Sequence, residues 1–279
     1  MDNRPIGVFD SGLGGLTVVR QLLSTLPGDD IVYFGDTGRV PYGTRSPETI
    51  EKYTRQDCRF LLSKGVKLII AACGTVSSVA SHILRELPVP AMGVVEPTAD
   101  AAVSASKTGR IGILGTAATI RSASFERRIL EIRPDAVVIP VACPLFVPLV
   151  ENGWIEPDNE ATLAAARRYL APLADKRVDT LILGCTHFPL LAPVISKIVG
   201  PDVALVDSGS ACATLCADRL ERDGALNRTK RAGMCRFYVS DLPDDFTHVA
   251  RMFLGREVDG DTERVDMETL LGAGAPDTV

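Results

Sequence analysis

Two stretches constrain the fold of this chain more than any other feature: Val66-Lys67-Leu68-Ile69-Ile70-Ala71-Ala72-Cys73-Gly74-Thr75 and Val178-Asp179-Thr180-Leu181-Ile182-Leu183-Gly184-Cys185-Thr186-His187. Each is an apolar run of strand length that ends on a small residue, then a cysteine, then hydroxyl-bearing or turn-forming residues. An apolar run without polar alternation is the pattern of a parallel strand buried on both faces, and the break after it opens a loop. A second echo joins Ile6-Gly7-Val8-Phe9-Asp10-Ser11 to Ile111-Gly112-Ile113-Leu114-Gly115-Thr116, again a strand followed by a polar turn. A pattern that recurs at long range predicts two related halves, each presenting one thiol at a strand end.

The rest of the chain supports this division. A length of 279 residues is comfortable for two α/β domains. The predicted strands are 6–9, 31–34, 66–72 and 91–95 in the first half, and 110–114, 136–141, 180–184 and 203–206 in the second. Leu16, Val19, Leu22 and Leu23 fall at helical spacing after the first strand. Ser46-Pro47 reads as N-cap and first-turn proline of a long helix with Ile50, Tyr53, Thr54, Cys58, Leu61 and Leu62 on one face. Further helices are expected over 76–86, up to about residue 174 after an excursion at 143–157, over 211–222 and near 246–254, with a strand near 235–239. Residues 272–276 should form a loose tail. Strands alternating with helices imply two doubly wound parallel sheets. The expected division is residues 1–96 plus 208–279 for the Cys73 side and 97–207 for the Cys185 side, with Glu96-Pro97 marking the crossing.

Composition excludes several classes. Hydrophobic content of 46% with 23% charged residues is that of a globular protein rather than a disordered one. The formal net charge is −5 and the basic residues are scattered, so no stripe for nucleic acid is present. The N-terminus runs into the first strand without an apolar leader, and no stretch is long enough to span a membrane, which predicts a cytoplasmic protein. Seven cysteines without a C-x-x-C pair argue against a disulfide framework and a zinc ribbon.

Doubly wound sheets bind ligands beyond the C-terminal ends of their strands, where Asp10, Cys73, Thr116 and Cys185 all fall. A reaction that takes a proton from one face of a carbon and returns one to the other needs two acid/base groups on opposite sides, and one thiol per half supplies them. A thiol near its ordinary pKa of about 8.5 can be held as thiolate by a neighbouring charge, so no cofactor or metal is required. Cys58, Cys212 and Cys216 share apolar helical stripes and read as core. Cys143, at a strand end before Pro144 and without a following hydroxyl, reads as structural.

Asp10-Ser11-Gly12-Leu13-Gly14-Gly15, Phe34-Gly35-Asp36-Thr37 with Val40-Pro41-Tyr42-Gly43, Ala72-Cys73-Gly74-Thr75, Val94-Val95-Glu96-Pro97, Gly115-Thr116 and Gly184-Cys185-Thr186-His187-Phe188-Pro189 resemble the signatures of the bacterial glutamate racemases, in order and at matching spacing. The resemblance implies two pseudo-symmetric α/β domains with the active site in the cleft between them. It also implies cofactor-independent interconversion of L- and D-glutamate, the D-isomer feeding peptidoglycan synthesis, and commonly a homodimer. Carried over, Cys73 and Cys185 would be the two acid/base thiols, assisted by Asp10 and His187 respectively. Ser11, Tyr42, Gly43, Thr75, Thr116 and Thr186 would bind the substrate through hydroxyls and backbone amides, and Glu151 would stand near its amino group. Gly74 departs from the pattern: those proteins usually have Asn there, whose amide helps hold the substrate, and water or Thr75 would have to replace it. Gly38, where Ala is common, is a milder change.

Other readings stay open on the sequence. An aspartate or hydantoin racemase would share the two-thiol plan. The Asp10 to Gly15 loop also resembles the Asp-x-Gly-x-Gly loop of actin-like phosphotransferases, although that loop belongs in a β-hairpin. A non-catalytic amino-acid-binding protein could keep the same fold.

Overall fold

The computed structural model describes residues 2–229, 231–242, 246–258 and 262–267. In the first half the chain runs β1 (Ile6–Asp10), α1 (Leu16–Thr25), β2 (Ile31–Gly35), α2 (Pro47–Ser63), β3 (Leu68–Ala71), α3 (Gly74–Val79), α4 (Ser81–Arg85) and β4 (Ala91–Gly93). Helix α5 (Val95–Ala105) leads to the second half: β5 (Arg110–Gly115), α6 (Ala117–Ser122), α7 (Ser124–Ile132), β6 (Val137–Ala142), α8 (Phe146–Glu151), α9 (Glu160–Ala174), β7 (Thr180–Leu183), α10 (Ala192–Val199) and β8 (Ala204–Asp207). The chain then returns through α11 (Ser208–Arg222), β9 (Cys235–Val239), α12 (Phe246–Leu254) and β10 (Thr262–Arg264).

Every strand pair is parallel, in two sheets of order β10-β9-β2-β1-β3-β4 and β6-β5-β7-β8. The first four strands of each half therefore take the same order, second-first-third-fourth, which is the pseudo-symmetry that the repeated sequence implied. β1, β2, β3 and β7 are buried at every position, as strands covered on both faces must be. The register pairs Phe9 with Ala71 and Leu114 with Leu183, so the loops after β1 and β3, and those after β5 and β7, open side by side. These ends line one cleft between the sheets. The Asp10 to Gly15 segment leads from β1 into helix α1, not into the β-hairpin of a phosphotransferase loop.

Several local expectations are corrected. The helix expected over 76–86 is two helices broken at Ala80, where Val76, Ser77, Ser78 and Val79 are poor helix formers. Ser77 Oγ instead bonds Ala71 O and the Val94 amide, tying α3 to the ends of β3 and β4. The strand expected to reach Val95 stops at Gly93, and the crossing at Glu96-Pro97 is the first turn of α5, where a proline removes only an amide that has no partner inside the helix. The boundary expected between residues 96 and 97 falls within that turn. Helices α5, α6, α7, α8 and α10 were given no bounds from the sequence. β10 adds a strand beside β9 beyond residue 255, while the tail expected at 272–276 lies outside the described residues. Among the described residues no helix is long and apolar enough to cross a membrane.

Candidate active site

A cavity of about 340 Å³ lies between the two sheets. Its wall contains Cys73 and Cys185, and with them Ser11, Tyr42, Gly43, Gly74, Thr75, Thr116, Glu151, Thr186 and His187. Each of these was singled out from the sequence. Asp10 is the exception, buried just behind the wall, with Oδ2 accepting from the Gly15 amide at 2.9 Å. The thiols arrive by equivalent routes: Cys73 is the N-cap of α3 after β3, and Cys185 follows the end of β7. Cys143, Pro144, Val147 and Pro148 add an apolar side. Cys143 is buried, but it faces the cavity rather than the core alone; its signal was its place after β6, matching that of the other two thiols after their strands.

The two thiols have different surroundings. Cys73 Sγ lies 3.5 Å from Ser11 Oγ. Burial, with the Asp10 carboxylate as the next cause, pushes the Cys73 thiol up to about 12, while the Ser11 hydroxyl and the Val76 amide act the other way. Burial also raises Asp10, against the His187 charge and the amides at its loop, and Asp10 Oδ1 is buried without a hydrogen-bond partner. The Cys73 thiol therefore holds its proton in the unliganded pocket.

On the other side, Cys185 Sγ is 3.7 Å from His187 Nδ1, and His187 Nε2 is 3.1 Å from Glu151 Oε1. Burial disfavours the imidazolium, but the Cys185 sulfur and the Glu151 carboxylate outweigh it, and His187 is raised to about 10. Phe253 packs edge-on against the imidazole at 5.0 Å between ring centres and fixes its plane. His187 stands at the start of a 3₁₀ turn, yet its side chain makes no cap there. Glu151 closes α8 instead of sitting on a loop, and the helix end aims it at the imidazole. Cys185 thus has a protonated imidazole beside it, whose charge is balanced by a carboxylate.

The polar wall crosses from one half to the other. Thr75 Oγ1 and Thr116 Oγ1 are 3.1 Å apart, and Thr116 also caps α6 by accepting from the Thr119 amide at 3.2 Å. Thr17 Oγ1 donates to Thr186 O at 3.1 Å. Tyr42 corrects an expectation: its hydroxyl is not free for a substrate. It donates into a buried network, bridging Asp36 and Asp57 (3.0 Å to the latter) while Arg39 pairs with both carboxylates. Only the main chain around Tyr42 and Gly43 is left to face a ligand. The sequence carried a signal for this network that was missed, since Asp57 falls on the apolar stripe of α2 between Thr54 and Leu61, where a buried acid needs partners. Among the described residues no cluster of three or more His, Cys, Asp or Glu side chains is arranged to hold a metal ion.

Two thiols on one small cavity, each backed by its own acid/base partner and joined by a rim of hydroxyls, can exchange protons with both faces of a bound carbon acid. Comparison with known proteins agrees. The profile of the family described as Asp/Glu/Hydantoin racemase matches residues 6–216. The glutamate racemase of Geobacter metallireducens is 45% identical over 266 residues, which is 95% of this chain and 97% of that protein. The crystal structure of glutamate racemase from Francisella tularensis in complex with D-glutamate superposes with a TM-score of 0.89 at 39% identity, covering 96% of this chain and 100% of that one. An aspartate racemase homologue from Pyrococcus horikoshii, 16% identical with a TM-score of 0.55 over 78% of this chain and 99% of its own, shares the fold. By profile, identity and architecture together, the chain belongs to the Asp/Glu/hydantoin racemase family.

Proposed function

We propose that this protein is a cofactor-independent glutamate racemase that interconverts L- and D-glutamate by two-thiol proton transfer. The observation that carries the reading is the pair of buried thiols, one from the strand ends of each sheet, that line one cavity. Starting from D-glutamate, Cys73 as thiolate takes the α-proton, the C–H electron pair stays on the α-carbon, and the Cys185 thiol protonates the opposite face. The roles exchange for L-glutamate. Cys73 enters as a thiol, because burial and Asp10 hold its proton; on substrate binding Asp10 is the nearby group that can accept it. His187, protonated and paired with Glu151, stands beside Cys185 as the group that can return a proton to it. The carbanion would be stabilised by fixed donors around the carboxylate, for which the hydroxyls of Thr75, Thr116 and Thr186 and nearby backbone amides are the candidates because these residues line the cavity, and by exclusion of water as the halves close.

Other parts of the reading rest on the family. D-glutamate would supply cell-wall peptidoglycan synthesis, which goes with a cytoplasmic location and a homodimeric assembly. The proposed division is residues 1–96 plus 208–279 and residues 97–207, supported by the separation of the strands into two sheets.

The test is circular dichroism of the purified protein with either glutamate enantiomer in deuterated buffer and no added cofactor. Racemisation with deuterium at the α-carbon, lost in Cys73→Ser and Cys185→Ser, is expected. Turnover of aspartate but not glutamate would move the substrate while keeping the mechanism, and turnover of neither would end the reading.

A further inference from the structure

The two halves meet backbone to backbone beside the thiols, at a point where a side chain would not fit. A Cβ placed on Gly74 would lie 2.3 Å from the carbonyl oxygen of Gly184, about 1 Å inside ordinary contact. Elsewhere along the seam the neighbours are side chains: a Cβ on Gly14 would meet the Thr186 hydroxyl and the His187 ring, and one on Gly43 would meet Thr116 at 3.1 Å. Those atoms can turn aside. The Gly184 carbonyl cannot.

Both partners are anchored in their own sheets. Gly184 donates its amide to Leu114 O at 2.8 Å, and a Cβ on Gly184 would itself lie 2.8 Å from that carbonyl, so the end of β7 cannot retreat toward β5. Gly74 opens α3, which Ser77 ties to Ala71 and Val94. The contact is therefore rigid backbone against rigid backbone. Its two residues are the immediate neighbours of Cys73 and Cys185, so any gap forced there passes directly to the distance between the sulfurs.

We propose that Gly74 is a positioning residue: its contact with Gly184 is the stop against which the two halves close, and it sets the separation of the two thiols. The absence of a side chain at this position is then a requirement of the closed cleft rather than a lost substrate contact. The inference rests on the glutamate racemase reading, because its readout is turnover of glutamate.

Gly74→Ala and Gly74→Asn test it. Neither demands a new backbone conformation at the first position of a helix, so both variants should fold with a Tm close to that of the wild type. Displacement of the reacting groups by about 1 Å should lower kcat roughly 100-fold in both directions. The isotope effect with α-deuterated glutamate should rise as proton transfer becomes slower, a change that a purely structural role for Gly74 would not produce. Retention of kcat within about threefold in Gly74→Ala, or a gain in Gly74→Asn, would overturn the proposal. So would a collapse of Tm, which would make the contact part of the fold rather than of closure. A wild type silent on glutamate would instead overturn the functional reading.

Discussion

Cys73 and Cys185 occupy equivalent places in two halves of the same topology, yet their neighbours differ in kind. Cys73 is backed by a buried carboxyl and Cys185 by an imidazole paired with Glu151, so the two proposed acid/base groups would be kept ready by different means. Asp10→Asn removes the second cause of the high Cys73 pKa, leaving burial. Cys73 should then ionise at lower pH, seen as a downward shift in the pH midpoint of its alkylation, while kcat falls because the proton acceptor is gone; an unmoved midpoint would remove Asp10 from this role. Replacement of either thiol by serine should cost at least 10²- to 10⁴-fold in kcat, the scale of positioned acid/base catalysis. His187 has its own signature in stability. Its folded pKa of about 10 lies above the ordinary 6.5, so its pairing stabilises the fold fully below about pH 6.5 and loses that effect as pH rises through about 10. The difference in Tm between wild type and His187→Gln should therefore narrow between neutral pH and pH values above 10. Asp10, Cys73 and Cys185 could be picked out in the sequence because each stands at the end of an apolar run, and His187 and Glu151 through the family resemblance. The pairing of Glu151 with His187 could not.

Among the elements, α2 and the loop after β2 form a unit. The Tyr42 hydroxyl bridges two buried carboxylates, Asp57 is pushed well above its usual range by burial and by Asp36, and Arg39 acts against that shift. The bridge holds the main chain of Tyr42 and Gly43 at the cavity wall. Tyr42→Phe leaves the two carboxylates without that donor and should destabilise the protein by about 1–3 kcal/mol, read from denaturant unfolding. It should also raise the KM for glutamate more than it lowers kcat, since the loop loosens while the thiols stay in place. The long buried strands and α2 were legible because apolar runs and a Ser-Pro cap are local signals. Helix α5 was hidden by Pro97 in its first turn. Helices α6 and α8 are each a turn or two long, too short for periodicity to mark, and α6 depends on the Thr116 cap.

For the whole molecule, the cavity belongs to neither half alone. A ligand held between Cys73 and Cys185 ties the sheets together, and at 100 times its Kd it should add about 2.7 kcal/mol to stability. D-glutamate should thus raise Tm by several degrees even in a Cys73→Ala/Cys185→Ala variant that cannot turn over, and no shift would place glutamate elsewhere. The sequence by itself determined the two parallel sheets, their repeated plan and the thiols at strand ends, since run length, small residues and breaks act within a few positions of chain. Tertiary structure alone decided that Glu151 reaches His187, that Tyr42 turns away into Asp36 and Asp57, and that Gly74 meets Gly184. Those residues are brought together by sheet order and by the seating of one half on the other, and a through-space distance set by packing leaves no local pattern in the chain.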